Sequence, residues 1–556
     1  MPRIPFWIFL LLGLIYFSAI RVDVMDIDAS QYAEVSREMM LKGDYLHVFD
    51  RGKDYLDKPP FLFWVSGLSM KVFGVNNFGY RFPSLLFALW ALFATYRLAK
   101  LLYEENTARM AALILGTCQA MFLITNDVRT DTILMSWVVT ALWWLKEWDV
   151  SRKKIYFFAG CAAIAFGMMT KGPIALMVPV FCFSFDWMSK RKWKQILQPI
   201  FIPGFLLIAA MLLPMCIGLY QQFDLHPEKI IDGHTHTSGI RFFFWTQSFG
   251  RLTGESTWSN NAPFSFLFEN MLWSFQPWIL LFSVALIIRF IQLARQRFLL
   301  KEKEEAITVG GFVLTYIVLA TSKYQLPHYI FVVFPLAAIM VAKLLHNFFE
   351  GHFKAIAFTF SIVQTIISAL LFLVSFLLFV YVFKGSWWCN LVWIIGLIVW
   401  LNLLLKNKQK VFWLPVVATI TANVILTNHF YKTLISDYQA SSTLGRFILK
   451  QNIPSDKISM YQFQDPASCI HFYAQRLIAR NDTLKPIMPE YLITCNAGLD
   501  SLQAHQIPYT TLLQGKMFKV SELTPEFINP KTRKNATKNY YLIRCNRANP
   551  NSFKSR

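Results

Sequence analysis

Charge is what this chain has least of: 16% of its 556 residues are Asp, Glu, Lys or Arg, while 55% are hydrophobic. Soluble chains carry about a quarter charged residues and break their apolar stretches into short alternating patterns. The scarcity therefore excludes an ordinary soluble enzyme. Nucleotide-binding loops are missing as well. No segment reads GxxxxGK[ST] or GxGxxG, the glycine-rich turns that cradle phosphates at the start of a helix, and this argues against kinase-like chemistry. No CxxC and no paired Cys/His spacing offers a structural zinc site. There is no internal repeat, low-complexity tract or sustained heptad.

Long apolar runs fill the space instead. Aromatic residues make up 16% of the chain, and thirteen runs approach the ~20 apolar residues that cross a bilayer as a helix. They lie near Phe6–Ile20, Phe78–Leu98, Met110–Thr125, Thr132–Trp148, Ile155–Met169, Ile174–Trp187, Ile196–Leu219, Leu272–Phe290, Ala306–Ala320, Tyr329–Leu345, Ala355–Phe383, Trp387–Leu405 and Val411–His429. The spacing predicts a polytopic α-helical membrane protein. The net charge of +21 would suggest nucleic-acid binding in a soluble chain, but here its distribution matters more, and no nucleic-acid partner is expected. Short connections on one side, from Arg3 to Lys410, hold 21 basic residues, whereas those opposite hold Arg129, Lys171, Lys323 and Lys384. By the positive-inside rule the amino terminus is cytoplasmic and thirteen crossings leave the carboxyl terminus outside. The first run resembles a signal peptide in its basic start, but no clean small-residue cleavage site follows.

Three segments fall outside the runs. An acid-rich outer loop spans 21–69, with an apolar stretch at Phe61–Met70 too short to cross and suited to the interface. A second outer loop spans 220–270. From 431 onward the composition turns polar, predicting a membrane domain over 1–430 and a small soluble α/β domain over 431–556. Within the latter, Lys457–Phe463, Tyr491–Cys495, Phe518–Val520 and Tyr540–Arg544 read as strands and Ser468–Ile478 as a helix. Cys118, Cys161, Cys182, Cys216 and Cys389 lie in or beside apolar runs as small hydrophobes, and Cys469, Cys495 and Cys545 leave room for one disulfide.

The outer-face charges carry the chemistry. Asp26 and Asp28 precede a short helix with Tyr32, Val35 and Met39 at helical spacing, suited to the interface. In extended backbone both carboxylates would point one way, able to hold a divalent cation or act as a base. Asp28 fits a simple helix cap as well. Asp57-Lys58-Pro59-Pro60 sets an acid and a base before a rigid turn, where Lys58 contacts a phosphate or merely snorkels. Asp127, Arg129 and Asp131 crowd one connection, Thr170-Lys171-Gly172-Pro173 ends a helix, and Ser322-Lys323-Tyr324-Gln325-Leu326-Pro327-His328-Tyr329 lies on the same side. Carboxylates beside ammonium groups at lipid depth suit a reaction that binds and expels a lipid phosphate, because expulsion builds negative charge. His234-Thr235-His236, with Asp232 before it, could bind a metal on a strand but reads better as a solvated loop; Arg251, near Phe242–Phe244, is the better lipid or acceptor contact.

The series Asp28, Tyr32-Ala33-Glu34, Arg37-Glu38-Met39, Gly43-Asp44, Asp57-Lys58-Pro59-Pro60, Phe73-Gly74 and Arg81-Phe82-Pro83-Ser84 resembles the aminoarabinose lipid A transferase and protein O-mannosyltransferase-like superfamily of GT-C glycosyltransferases. Asp131, Thr170-Lys171-Gly172-Pro173, Phe275-Gln276-Pro277-Trp278 and Lys323 with Leu326-Pro327-His328-Tyr329 resemble later motifs in the same order. The resemblance implies transfer of a sugar from a polyprenyl phosphate carrier, undecaprenyl phosphate in bacteria, to lipid A, another envelope glycan or a protein at the periplasmic face of the inner membrane. It implies Asp28 and Asp131 as catalytic carboxylates. Lys58, Tyr329, Lys171, Lys323 and Arg81 would contact donor phosphate, Arg251 and Tyr55 acceptor or lipid, and Asp57 with Asp26 a divalent metal. Two departures stand out: the common Asp-Glu pair reads Asp28-Ala29, and Asp57 replaces the usual Glu. A transporter of lipid-linked sugars is the rival reading, but transporters place charge near the bilayer midplane.

Overall fold

Helices dominate because backbone polar groups removed from water must pair within the segment that carries them. The computed structural model describes residues 2–231, 233–255, 258–406, 409–463, 467–483, 489–520 and 522–546. The thirteen apolar runs are largely helical, but Met110–Thr125 is interrupted between Gly116 and Gln119, Leu272–Phe290 between Ser274 and Ile279, and the helix in Ile196–Leu219 starts only at Phe201. Six stretches are long and apolar enough to cross a bilayer: Asn77–Leu102, Phe201–Asp224, Pro327–Phe349, Lys354–Val382, Trp387–Lys406 and Lys410–Tyr438. Glu105–Gly116 and Gln119–Asn126 form a further pair bent by 53°. The other runs fold as Phe6–Ser18, Thr130–Ser151, Lys154–Lys171, Ile174–Ser189, Ile279–Arg295 and Ile307–Ala320. By length and composition alone, six or seven of the thirteen qualify as spans.

The first outer loop is ordered and buried. Asp28–Lys42 forms a helix that ends where Gly43 takes a left-handed φ of 66°, a conformation glycine adopts without a Cβ penalty. Instead of lying exposed at an interface, this helix is covered by Phe61–Phe73 on one side and by Ser468–Ala474 of the carboxyl-terminal module on the other. Burial is tolerated because Glu34 and Arg37 neutralise each other at 2.5–2.8 Å and Glu38 accepts the Gly52 amide at 3.0 Å. A two-strand hairpin, Phe49–Asp50 with Lys53–Asp54, was not expected from the sequence. Its turn residues Arg51 and Gly52 both have positive φ, 53° and 75°, the geometry that matches strand twist in a two-residue hairpin.

Beyond Tyr438 the chain builds a five-stranded mixed sheet. Its order is Ala479–Arg480, Ile458–Met460, Tyr491–Cys495, Lys538–Cys545 and Tyr509–Met517, the first two pairings parallel and the last two antiparallel. Leu444, Ile448 and Ile470 pack against Met460, Ile493 and Leu542 to form its core. The strand expected at Phe518–Val520 is instead Tyr509–Met517, an edge strand whose mostly exposed side chains hide its signal. Phe518 turns away to stack on Phe527 at 3.7 Å. The helix expected to reach Ile478 stops at Ala474, where Gln475 takes a φ of 54°. Cys469, Cys495 and Cys545 are all free; Cys495 pairs with Tyr540 and Cys545 with Tyr509, at different strand positions.

The module grips the start of the first outer loop. Gln439, fully buried, donates to the Val24 carbonyl at 2.9 Å and accepts the Asp26 amide at 2.7 Å. The Tyr473 hydroxyl accepts the Val24 amide at 2.8 Å and donates to Asn77.

Candidate active site

The polar side chains converge because they sit at helix ends, where chains enter and leave the bundle. Asp28 is the first residue of its helix, with Ile27 in the capping position. Its carboxylate is 52% exposed and receives Arg129 at 3.3 Å. Asp26 does not point the same way: its carboxylate accepts from Ser30 at 3.1 Å while its amide goes to Gln439. The period-two expectation fails because the helix begins at Asp28 and rotates its side chain away from the preceding extended segment.

Arg129 immediately precedes the helix Thr130–Ser151. It reaches Asp127 at 2.5 Å and lies 3.4 Å from His328 Nδ1. Asp127 and Asp28 outweigh burial and hold its guanidinium more firmly protonated than usual. Asp131, in the first turn of that helix, is 4% exposed and accepts Lys171 at 2.5 Å, with His328 Nε2 at 3.6 Å. Lys171 ends its own helix at Gly172, whose φ is 90°, and its ammonium lies 4.3 Å from the Tyr329 ring centre. Arg251 donates to the Tyr329 hydroxyl at 2.6 Å and faces the Tyr324 ring at 5.2 Å. Lys58 pairs with Asp57 at 2.5 Å, the two 17% and 22% exposed.

Asp28, Lys58, Arg129, Asp131, Lys171, Arg251, His328 and Tyr329 line one pocket of about 1040 Å³, counting its open mouth, with Leu134, Ile174, Met177, Val318, Leu319 and Leu326 as apolar wall. Four cations, Lys58, Arg129, Lys171 and Arg251, face two carboxylates, Asp28 and Asp131. Lys58, Arg129 and Lys171 are each paired with a carboxylate, Asp57, Asp127 and Asp131, so the cations and acids of the site are close to balance, and Arg251 makes no ion pair among the described residues but donates to Tyr329. Charge-assisted bonds of this kind suit a phosphate oxygen. Burial, with Tyr55, Asp28 and Asp57 nearby, holds the Tyr32 hydroxyl well above its ordinary pKa and keeps it a hydrogen-bond donor.

Of the residues singled out from the sequence, Asp28, Lys58, Asp131, Lys171, Arg251 and Tyr329 meet in this pocket. Arg81 does not. It is 2% exposed and clasps the carbonyls of Asp23, at 2.7 Å, and Asn126, so it ties loop ends together instead of meeting a phosphate. Lys323 is exposed; its amide donates to the Arg251 carbonyl at 3.0 Å, and its side chain passes beside Gly254. Tyr55 packs 6.0 Å from Phe63 and lines a smaller adjoining cavity with Pro59, Pro60 and Gln222. The expected metal ligands do not fit a cation. Asp57 is committed to Lys58 and Gln247, the Asp26 carboxylate accepts from Ser30, and no group of three or more His, Cys, Asp or Glu suited to a metal occurs among the described residues. His234 and His236 are exposed, and His236 has a left-handed φ of 56°, so they do not share a strand face; Asp232 lies outside the described residues. Arg129, His328 and Tyr32 stood in the quoted motifs without a role, whereas Gln247 and Ser248, also in the lining, carry no sequence signal because neither titrates and both sit in a loop.

Residues 57–217 match the family described as dolichyl-phosphate-mannose-protein mannosyltransferase. The undecaprenyl phosphate-alpha-4-amino-4-deoxy-L-arabinose arabinosyl transferase of Edwardsiella ictaluri is 28% identical over 323 residues, covering 57% of this chain and 54% of that protein. An uncharacterized protein of Aquifex aeolicus is 25% identical over 319 residues, covering 57% and 59%. The chain thus spans about half the length of the curated relatives it matches. Among solved structures, ArnT from Cupriavidus metallidurans bound to undecaprenyl phosphate superimposes with a TM-score of 0.69 at 16% identity, over 96% of this chain and 97% of that one. The oligosaccharyltransferase of Archaeoglobus fulgidus in its apo form gives 0.53 at 12% identity, over 85% and 65%. The chain has the polytopic helical fold of these proteins, with a small carboxyl-terminal sheet domain.

Proposed function

We propose that this chain is a membrane glycosyltransferase that moves a sugar from a polyprenyl phosphate carrier, undecaprenyl phosphate in a bacterium, to lipid A, another envelope glycan or a protein at the periplasmic face. The observation that carries the reading is the single pocket in which four cations and the Tyr329 hydroxyl surround two carboxylates against an apolar wall. Both the similar transferase of Edwardsiella ictaluri and the ArnT structure are named for undecaprenyl phosphate, which supports that carrier. In the accompanying topology the amino terminus is cytoplasmic, 1–430 forms the membrane domain and 431–556 the periplasmic one.

In the reaction the acceptor oxygen forms a bond to the anomeric carbon while the bond from that carbon to the carrier phosphate oxygen breaks. The electron pair leaves on the phosphate, and a single displacement inverts the carbon. Lys58, Arg251 and Lys171 stabilise the negative charge that develops on the departing oxygen, and the Tyr329 hydroxyl, ordered by Arg251, donates to it. Asp131 positions Lys171 and His328. Asp28 takes the proton of a hydroxyl acceptor; toward an acceptor phosphate, already ionised, it acts with Arg129 to orient. No step passes through a metal, because the donor set does not fit one. The transporter reading loses support because the charged residues stand at helix ends, not at mid-helix.

The test gives purified protein in detergent an envelope extract as acceptor and either undecaprenyl-phosphate sugars or the matching nucleotide sugars, with products followed by mass spectrometry. Transfer should require the lipid-linked donor. Turnover on nucleotide sugar alone refutes the proposal.

A further inference from the structure

A second polar pocket lies at the opposite end of the bundle. The helix Ile307–Ala320 starts in it at Thr308 and ends beside the active pocket at Leu319. Likewise the stretch Pro327–Phe349 runs from Tyr329 in the active pocket to Lys343 in this one, roughly 21 Å at about 1.5 Å per residue. Its open volume is about 910 Å³.

The balance of charge inside it is unequal in a specific way. Its acids are hydrogen-bonded locally by neutral donors. Glu305 accepts from Tyr103 at 2.5 Å and from the Thr308 hydroxyl and amide at 2.8 and 2.9 Å, sealing the start of a helix, and Glu304 accepts from the Lys301 amide at 3.0 Å and Gln296 at 3.2 Å. Its cations Arg289 and Lys343 are hydrogen-bonded or ring-stacked but not neutralised by an ion pair, with Glu104 and Glu350 in the neighbourhood of Lys343. Arg289 donates to the Glu305 carbonyl and to Gln292 at 3.3 Å, and its Nε is buried without a partner. Lys343 lies 5.3 Å from the Tyr103 ring centre. Among the described residues neither Arg289, Lys343 nor Lys303 makes an ion pair. Beside them the wall is apolar, formed by Ile288, Met340 and Leu344. Free phosphate would satisfy the cations and leave that wall in contact with water; a ligand joining a negative headgroup to hydrocarbon satisfies both.

We propose that this pocket binds an anionic diacyl phospholipid, its phosphate held between Arg289 and Lys343 and its first chain carbons laid against Ile288, Met340 and Leu344. The site is separate from the transfer reading and stands or falls without it. It lies on the rim that carries most of the short basic connections, where anionic headgroups gather around exposed Lys and Arg.

The experiment is native mass spectrometry of the full chain released from detergent, titrated with phosphatidylglycerol, with phosphatidylcholine, or with inorganic phosphate. Phosphatidylglycerol should bind about tenfold more tightly than phosphatidylcholine, and Arg289→Gln with Lys343→Gln should remove that preference, as expected for loss of charge-assisted bonds. Lys343→Met, which suits the apolar neighbours, provides a second variant with an expected loss of about tenfold. Equal retention of the two lipids, unchanged affinity in the Lys343→Met protein, or displacement of phosphatidylglycerol by equimolar inorganic phosphate would each overturn the proposal.

Discussion

Replacing Lys58 by Ala tests the donor side of the mechanism, and the structure separates two contributions to the loss. Lys58 is 17% exposed and paired at 2.5 Å with Asp57, itself 22% exposed. Its ammonium faces the active pocket. A charge-assisted bond to a phosphate oxygen contributes roughly 1.5–3 kcal/mol, so truncation should lower kcat/KM for the lipid-linked donor by about 10- to 150-fold. Part of that loss would come from Asp57, left without its cation beside Gln247 and repelling the incoming phosphate. Adding Asp57→Asn to Lys58→Ala removes the stranded charge and should recover part of the activity, on the order of fivefold, while the direct contact stays lost; the difference is a double-mutant cycle. The assay is initial-rate transfer in detergent with donor varied at fixed acceptor. Unchanged donor dependence in Lys58→Ala would reduce Lys58 to a snorkelling side chain. Full recovery in the double variant would mean that Lys58 serves only to neutralise Asp57.

Asp28→Asn should abolish transfer while the protein elutes as a folded species, because its carboxylate is half exposed and makes one ion pair; near-normal turnover would return Asp28 to a structural role. Gln439→Leu removes the two side-chain bonds from Gln439 to Val24 and Asp26, just before Asp28, and leaves the Tyr473 bond to Val24. It should lower kcat more than it changes donor KM, and an effect confined to KM would contradict a positioning role. His471, in the helix that covers Asp28–Lys42, is held down to about 4 by burial first and by Arg51 and Arg37, with Asp50 opposing. A folded value below the unfolded one gives stability that is full above about pH 6.5 and is lost as pH falls toward 4, amounting to roughly 3 kcal/mol. Thermal unfolding of His471→Gln should therefore change less between pH 7 and pH 4.5 than that of the parent protein, and parallel slopes would refute the assignment.

Much of the membrane architecture was legible along the chain. Most apolar runs became a helix, and breaks fell where Gly172-Pro173, Pro59-Pro60 and Gln276-Pro277 stood in the sequence. The bend between Gly116 and Gln119 was not legible. There Trp278 donates to the Thr117 hydroxyl at 3.0 Å and the Gln119 amide reaches the Gln276 carbonyl at 3.0 Å, contacts from more than 150 residues away that hydropathy does not register. The edge strand Tyr509–Met517 was missed for a related reason: its ladder partner Lys538–Cys545 supplies the pairing that its exposed side chains do not advertise.

The sequence by itself determined the membrane class, the positions of the helices and the set of charged residues at their ends, since apolar run length and helix punctuation are local properties that add along the chain. Only the tertiary structure decided which of those residues act together. Arg129 meets Asp28 across 101 positions and Arg251 meets Tyr329 across 78, while Arg81, in a motif of equal promise, turns to the carbonyls of Asp23 and Asn126. A side chain's direction follows the rotation of its own helix and the packing of distant ones, so residues that share a membrane rim in sequence can face one cavity or its outer wall.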